Sequence, residues 1–178
     1  MHERHPFRDV MGQFASGIVV VTADTEDHGA VGFTCQSFFS LSLEPPMVAF
    51  AVSSASQTWE RMRSTNRLCI NVLAEGQEAL SRGFARSGVN KFEGVNWSSG
   101  PSGAPILNGV TAWIEVVRLH EFPGGDHLIV TAAVERQWAH PSRRPLMFFQ
   151  SRYAGILPHG YQLDGDQSAK SPSERGAH

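Results

Sequence analysis

Apolar and polar side chains alternate along much of the chain, a pattern typical of β-strands with one buried face. The longest runs, residues 110–122 and 127–138, flank a glycine turn at 123–126 and predict a long hairpin. Shorter runs predict further strands at residues 18–22, 30–33, 40–43, 47–52, 68–73 and 145–149. Apolar residues at helical spacing predict short helices at residues 6–14, 55–64 and 77–84. Strands dominate without long βαβ alternation, so the pattern predicts a mainly β fold, a closed antiparallel β-barrel with short helices.

Turn and cap residues set the expected ends of these elements. Pro45 and Pro46 are expected to stop strand pairing, because proline lacks the N–H that a sheet ladder needs. Ser54, followed three residues later by Gln57, is a capping-box pattern that predicts the start of the second helix. Residues 94–103 are rich in glycine and serine and predict a loop.

Composition places the chain among globular proteins. Its 178 residues predict one domain, at residues 1–159, followed by a polar segment at 160–178 that is expected to be a disordered tail. A formal net charge of −2 argues against a nucleic-acid partner, which would need a basic surface. Two cysteines without a CxxC motif, and no histidine pair at metal-ligand spacing, indicate free thiols in a reducing compartment and no metal site. With no apolar signal core and no run of membrane-spanning length, the expected location is cytoplasmic, away from membranes.

Three features could carry chemistry. Residues 32–46, GFTCQSFFSLSLEPP, place a polar centre inside an otherwise strand-like stretch, which suits contact with a polar, planar ligand or else an ordinary buried strand and turn. Residues 53–58, SSASQT, put hydroxyl groups at a helix start, a pattern that serves either anion binding or simple capping. His127 follows a glycine turn, where a histidine can be functional or merely structural. Rossmann and Walker motifs are missing from the sequence, and no Ser-His-Asp order or glutamate pair stands out.

The central stretch resembles the signature of the short-chain flavin reductases, the reductase components of two-component flavin-dependent monooxygenases. The matching positions are Gly32, Thr34, Ser37, Phe38, Ser40, Ser42, Glu44, Pro45 and Pro46. The variant at residues 34–37 is especially similar to reductases that serve hydroxylases of phenols and steroid-derived phenols. The resemblance covers roughly residues 6–157 and implies the FMN-binding split barrel, a homodimer with flavin sites at or near the subunit interface.

The resemblance also implies roles for individual residues. The flavin ring and ribityl chain would contact Thr34, Cys35, Gln36 and Ser37. The flavin phosphate would lie among Ser53, Ser54, Ser56 and Thr58. The site would be closed by Phe84, Lys91 and Phe92. His127 would lie near the nicotinamide as the catalytic candidate, and the dinucleotide would also contact Arg152 and Tyr153. Cys35 is expected to serve packing and not redox catalysis.

Three departures from the family pattern bear on these roles. Asn90 stands where an acidic residue is usual, residues 150–151 read Gln-Ser in place of Arg-Gly, and residues 132–133 are both alanine where a glycine is common. The last two put the pyridine-nucleotide preference in doubt more than flavin binding.

The implied function is that of an NAD(P)H:flavin oxidoreductase that transfers hydride from NADH or NADPH to FMN or FAD and supplies reduced flavin to a separate monooxygenase. Two alternatives stay open, a flavin carrier or sensor without reductase turnover and an oxidase of the pyridoxamine-phosphate type. The Gly-Asp-His sequence at residues 125–127 favours the reductase, because a carrier needs no dinucleotide pocket. FMN against FAD, and NADH against NADPH, stay undecided by the sequence.

Overall fold

A computed structural model describes residues 6–88 and 90–157; the predicted disordered tail at 160–178 lies outside the described residues. The elements follow the order α1 Phe7–Met11, β1 Ser16–Gly17, β2 Val19–Thr25, β3 Gly29–Cys35, β4 Phe38–Leu43, β5 Pro46–Ser53, α2 Gln57–Met62, β6 Arg67–Val72, α3 Glu78–Ala85, β7 Trp97–Ser99, β8 Pro105–Leu107, β9 Ala112–Gly124, β10 His127–Ala139, β11 Met147–Phe149 and β12 Arg152–Ala154. Among these residues, no helix has the length and apolar character to span a membrane.

Seven strands form an antiparallel sheet in the order β3-β2-β6-β9-β10-β5-β4. The sheet curls so that β3 and β5 approach each other, although they are not neighbours in this order. At that closure the Cys35 Sγ donates a hydrogen bond to the Ala51 carbonyl oxygen at 3.5 Å. The predicted closed antiparallel barrel is confirmed, and the long hairpin of β9 and β10 forms as the alternation predicts.

Strand β2 is buried on both faces, which explains its unbroken run of valines. Val19 and Val21 point into the barrel core with Phe50 and Trp59. Val20, between them, points outward into a second apolar cluster with residues of α3 and of a small outer sheet. That outer sheet joins β1, β11 and β12. Where a strand is covered on both sides, successive side chains can all be apolar, so residues 19–21 show no alternation.

Helix α2 closes the barrel beside the turn after β5. Trp59 and Met62 are buried as expected, and the Trp59 ring meets Phe50 edge-on at 5.7 Å between centroids. Burial of each side chain contributes about 1.5–3 kcal/mol. The predicted capping box is wrong: the N-cap is Ser56, whose Oγ accepts a hydrogen bond from the Trp59 amide at 3.2 Å. Ser54 lies two residues before the N-cap, and its hydroxyl donates instead to the Asp126 carbonyl oxygen.

Two expectations about turns are also corrected. The double proline does not stop pairing, because Pro46 is the first residue of β5 and lies opposite Leu43. Proline is tolerated at the first position of a strand, where its missing N–H breaks no ladder bond. The predicted loop at 94–103 contains the short strand β7, which pairs with β8 and is too short to produce a periodic pattern.

Helix α1 forms where its apolar spacing predicts, yet none of its residues is buried. Phe7 is 80% exposed, and Phe14, just beyond the helix, is 75% exposed. The edge strand β4 also carries exposed apolar side chains, with Leu43 at 86%. These two apolar surfaces have no covering element within the described chain.

Candidate functional site

A cleft of about 760 Å³ opens where the end of β3, the turn after β5 and the end of α3 meet. The structure brings most of the predicted site residues to its walls: Thr34, Cys35, Gln36, Ser37, Ser53, Ser56, Thr58, Phe84, Lys91 and His127. These residues come from segments far apart in the chain, so the barrel closure assembles the cleft.

One wall is the link between β3 and β4. Cys35 ends the β3 ladder opposite Val19, and Phe38 begins the β4 ladder opposite Phe50. Gln36 and Ser37 therefore belong to neither ladder, both residues line the cleft, and their peptide groups make no ladder bonds. Such groups can exchange hydrogen bonds with the polar edge of a planar ring.

The Thr34 and Cys35 side chains support this wall from behind. The Thr34 hydroxyl donates to the Ser81 carbonyl oxygen on α3 at 2.7 Å. Burial raises the pKa of the Cys35 thiol, outweighing its contacts with Ser37 and Ala51. A buried thiol with a raised pKa is a poor nucleophile, so the packing role fits Cys35.

A second wall is the hydroxyl-rich turn. Ser53 Oγ accepts a hydrogen bond from the Ala55 amide at 3.3 Å, and Ser56 Oγ accepts one from the Trp59 amide at 3.2 Å. Thr58 Oγ1 accepts one from the Lys91 ammonium at 3.1 Å. Since each oxygen acts as an acceptor, each hydroxyl keeps its own hydrogen to donate to a ligand. Three hydroxyl donors facing one space suit an anion.

Lys91 anchors this part of the cleft. Its Nζ donates to the Phe84 carbonyl oxygen at 2.9 Å, to the Gly32 carbonyl oxygen at 3.1 Å and to Thr58 Oγ1. An ammonium has three N–H donors, so all three are used within the protein. Burial, and secondarily the nearby Arg61 charge, lowers the pKa of Lys91. Lys91 therefore has no N–H donor left for a ligand, and an anion in the cleft would meet its charge and the Thr58 hydroxyl that it orients.

His127 begins β10 directly opposite Ser53. Its Nδ1 lies 2.7 Å from Asp126 Oδ1, and this hydrogen bond lowers the pKa of the exposed Asp126 carboxyl. An ionised carboxylate can only accept, so Nδ1 carries the hydrogen and Nε2 is left for a ligand. The imidazole is held at the cleft with a defined orientation.

Four predicted residues lie outside the cleft. The Ser54 amide and hydroxyl both donate to the Asp126 carbonyl oxygen, which fixes the turn before His127. Phe92 packs edge-on against Phe84 at 5.0 Å between ring centroids and lines a neighbouring, smaller cleft. The Tyr153 hydroxyl donates to Ser81 Oγ at 3.1 Å, and Arg152 is exposed on β12.

Sequence reasoning missed Arg61, which lines both clefts. The signal available was its spacing, because a residue three positions after Thr58 on a helix lies on the same face.

Comparison with known proteins shows the relationship. Residues 11–157 match the sequence model of the flavin reductase like domain. The chain is 42% identical, over 154 residues, to the reductase subunit HsaB of a flavin-dependent monooxygenase from Mycobacterium tuberculosis, covering 85% of this chain and 82% of that protein. It is 33% identical, over 159 residues, to an NADH:FMN oxidoreductase of Rhodococcus erythropolis, covering 86% of this chain and 82% of that protein.

The chain is also similar to solved structures. Component B of nitrilotriacetate monooxygenase from Mycobacterium thermoresistibile superposes with a TM-score of 0.82 at 35% identity, covering 94% of both chains. The NADH:FAD oxidoreductase SgcE6 of Streptomyces globisporus, solved with NAD and FAD fragments, gives a TM-score of 0.81 at 32% identity. That comparison covers 86% of this chain and 93% of the other.

Proposed function

Because this chain belongs to the family of flavin reductase-like domains, we propose that its 760 Å³ cleft is where flavin and reduced nicotinamide meet. The protein is an NAD(P)H-dependent flavin reductase, and its reduced flavin serves a separate monooxygenase component. The observation that carries the assignment to the cleft is the meeting of a polar strand link, three free hydroxyl donors and an oriented histidine in one space.

The donor set fits a flavin. The peptide groups of Gln36 and Ser37, free of the ladders, suit the polar edge of the ring. The hydroxyls of Ser53, Ser56 and Thr58, with the charges of Lys91 and Arg61, suit the phosphate. Polar groups at one end and cations at the other fix the direction in which a flavin would lie.

The chemistry belongs to the two cofactors: when both are bound, the nicotinamide supplies a hydride and the flavin ring accepts it. The residues of the chain hold the rings at reacting distance, which removes much of the entropic barrier. His127 presents Nε2 to the dinucleotide while Asp126 holds the other ring nitrogen. No nucleophilic side chain is required, and the buried thiol of Cys35 supplies none.

The reductase acts as a homodimer in this proposal. Support comes from the uncovered apolar side chains of α1 and β4, since monomers rarely expose large contiguous apolar patches. Light scattering after gel filtration tests it: Leu43→Glu is expected to lower the mass to that of one chain, whereas Ser98→Glu, on β7, is not. A wild-type mass of one chain would contradict the dimer. The buried free thiols of Cys35 and Cys69 support a cytoplasmic setting.

The decisive experiment follows NADH oxidation optically with purified protein, with and without FMN, FAD or riboflavin, and repeats it with NADPH. Flavin-dependent oxidation is expected. Flavin binding without turnover for either dinucleotide would contradict the reductase and favour a carrier.

A further inference from the structure

Ser81, on α3, joins two segments that are far apart in the chain. Its side chain is buried, and a buried hydroxyl needs a hydrogen-bond partner. Ser81 Oγ accepts a hydrogen bond from the Tyr153 hydroxyl at 3.1 Å, and the Ser81 carbonyl oxygen accepts one from the Thr34 hydroxyl at 2.7 Å. Two hydrogen bonds therefore connect Tyr153 on β12 to Thr34 on β3.

The bond of Thr34 lies next to the link between β3 and β4 that forms one wall of the cleft. Cys35 makes the other side-chain contacts there, with its Sγ 3.5 Å from the Ala51 carbonyl oxygen and 3.9 Å from Ser37 Oγ. A thiol is a weak hydrogen-bond donor and a weak acceptor. Of the side-chain bonds that the structure describes at residues 34–37, the bond from Thr34 to Ser81 is therefore the strongest.

The Tyr153 ring is held on two further sides. Tyr153 lies opposite Phe148 in the ladder of β11 and β12, and the two rings meet edge-on at 5.4 Å between centroids. The guanidinium carbon of Arg82, on α3, lies 4.7 Å from the centre of the Tyr153 ring, a cation–π contact. These contacts fix the ring, so the direction of its hydroxyl is fixed as well.

The turn that joins β11 to β12 is strained. Gln150 and Ser151 have φ of 48° and 61°, in the left-handed region that is unfavourable for residues with a side chain. Strained backbone persists where surrounding contacts hold it, and here the Gln150 amide donates to the Gly12 carbonyl oxygen at 3.0 Å. A two-residue turn also sets the register of its hairpin. The turn thus places Tyr153 opposite Phe148, where its hydroxyl reaches α3.

We propose that Tyr153 and Ser81 are positioning residues for the flavin ring. Their hydrogen bond fixes α3 at the carbonyl that holds Thr34, and Thr34 in turn fixes the link at Gln36 and Ser37. The inference rests on the proposed function, which places the polar edge of the ring against that link. Tyr153 then acts on flavin binding and not on the dinucleotide, in contrast to the role that the resemblance implies.

Four variants and a control test this arrangement. Tyr153→Phe removes only the hydroxyl and keeps the ring, and Ser81→Ala removes the acceptor of the same bond. Thr34→Val removes the hydroxyl at the other end with little change of shape, whereas Thr34→Ser retains it. Ser98→Ala is the control, since Ser98 is an exposed serine on β7 outside the cleft.

Quenching of flavin fluorescence measures the dissociation constants of FMN and of riboflavin, which share the ring and differ in the phosphate. Tyr153→Phe and Ser81→Ala are each expected to raise both constants about three- to tenfold, because each deletes one bond that acts on the shared ring. Thr34→Val is expected to raise them about tenfold, and Thr34→Ser to stay within about twofold of the wild type. The absorption spectrum of bound flavin should shift in the first three variants and not in the control.

The order of the two bonds provides a second test. In a protein that already carries Thr34→Val, the link no longer depends on Ser81. Tyr153→Phe is therefore expected to weaken flavin binding no further in that background. Losses that add up in the double variant would overturn the proposal.

Steady-state kinetics separates the flavin from the dinucleotide. In Tyr153→Phe, the KM for FMN is expected to rise, and the KM for NADH at saturating FMN to stay as in the wild type. A raised KM for NADH with unchanged flavin affinity would assign Tyr153 to the dinucleotide and overturn the proposal. A lowered Tm with unchanged flavin affinity would overturn it too, in favour of a purely structural role.

These outcomes are distinct from a failure of the proposed function. Wild-type turnover together with unchanged flavin affinity in the variants would overturn this inference alone. Absence of flavin-dependent NADH oxidation in the wild type would overturn both.

Discussion

Ser54 donates two hydrogen bonds to a single atom, the carbonyl oxygen of Asp126, from its amide at 3.0 Å and from its hydroxyl at 2.9 Å. Asp126 immediately precedes His127, and Ser54 immediately follows Ser53 in the hydroxyl-rich turn. These two bonds join the hydroxyl-rich turn to the turn that precedes His127. A substitution at Ser54 should therefore also displace His127.

Replacing Ser54 with alanine removes one of these two bonds, which is worth about 0.5–1.5 kcal/mol. Because the remaining amide bond holds the turn less firmly, we expect the KM for NADH to rise severalfold, with a smaller change in FMN affinity. Steady-state kinetics with saturating FMN measures the effect, and Ser98→Ala serves as a control at an exposed serine. A larger loss for FMN than for NADH would assign Ser54 to the phosphate.

His127→Ala removes the ring nitrogen that we propose faces the dinucleotide. We expect the KM for NADH to rise about tenfold, the value of one lost hydrogen bond, while flavin binding persists. His120→Ala is the control. Unchanged kinetics in the His127 variant would return this histidine to a structural role.

The hydroxyl turn is tested by comparing FMN with riboflavin, which lacks the phosphate. Thr58→Val keeps the shape of the side chain but removes the oxygen that accepts from Lys91. We expect FMN affinity to fall about tenfold and riboflavin affinity to change little. The double variant Ser54→Ala and Ser56→Ala should show the same preference, carried by Ser56. Equal losses for both flavins would exclude a phosphate role for the turn.

The lowered pKa of Lys91 predicts a pH dependence. Its ammonium favours the phosphate, so the advantage of FMN over riboflavin is full at neutral pH and is lost as pH rises through the Lys91 pKa. That loss should begin below the ordinary lysine value of 10.5. The measurement is the dissociation constants of FMN and riboflavin between pH 7.5 and pH 10. Their ratio is independent of titration of the flavin ring, because both ligands contain that ring.

Arg61→Gln provides the matched variant for this profile. Removing the neighbouring positive charge raises the pKa of Lys91, so the loss should move to higher pH. A ratio that does not change with pH would contradict the role of the Lys91 charge. So would a loss of the FMN advantage that begins at lower pH in the Arg61→Gln variant than in the wild type.

Both thiols should react slowly in the native protein. Burial, with the nearby Glu115 carboxylate, raises the pKa of Cys69 to about 12, and burial raises that of Cys35 as well. Near pH 8, roughly one Cys69 in ten thousand is a thiolate, the reactive form. Ellman's reagent is therefore expected to label neither cysteine quickly until urea exposes them. Single Cys35→Ser and Cys69→Ser variants identify any thiol that reacts early.

Elements with a long periodic pattern could be predicted from the sequence because each has one face in an apolar core. The two-residue strand β1 and the three-residue strands β7 and β12 could not, since periodicity needs more positions than they have. The structure makes Ser56 the helix cap and bonds Ser54 to Asp126, which lies 72 residues after Ser54. No local pattern contains that information.

The burial of Glu115 could not be predicted from the sequence either. Alternation places Glu115 opposite the face of Ile114, which would suit an exposed carboxylate. The structure buries it completely, with Oε1 accepting from the Ser102 amide at 2.8 Å and from the Ser102 hydroxyl at 2.6 Å. The loop that covers it folds back from residues 100–104, and the sequence gives no register for that contact.

The candidate site was predictable where a motif is continuous in sequence, at residues 34–37 and in the hydroxyl turn. Arg61 belongs to no such motif, and its only sequence signal is its position three residues after Thr58 on the same helix face. Tyr153, in contrast, was predicted as a site residue but lies outside the cleft. Its hydroxyl donates to Ser81 Oγ behind the cleft wall.

The three hydrogen bonds of Lys91 join β3, α2 and the end of α3 at one nitrogen atom. Local opening of any one of these segments therefore breaks one of the three bonds. Because all three bonds share one nitrogen, the geometry of the other two segments also changes. A phosphate held beside this nitrogen stabilises the closed arrangement by mass action and lowers the frequency of local opening. Amide hydrogen exchange in three separate stretches of the chain should consequently slow together when the flavin phosphate binds.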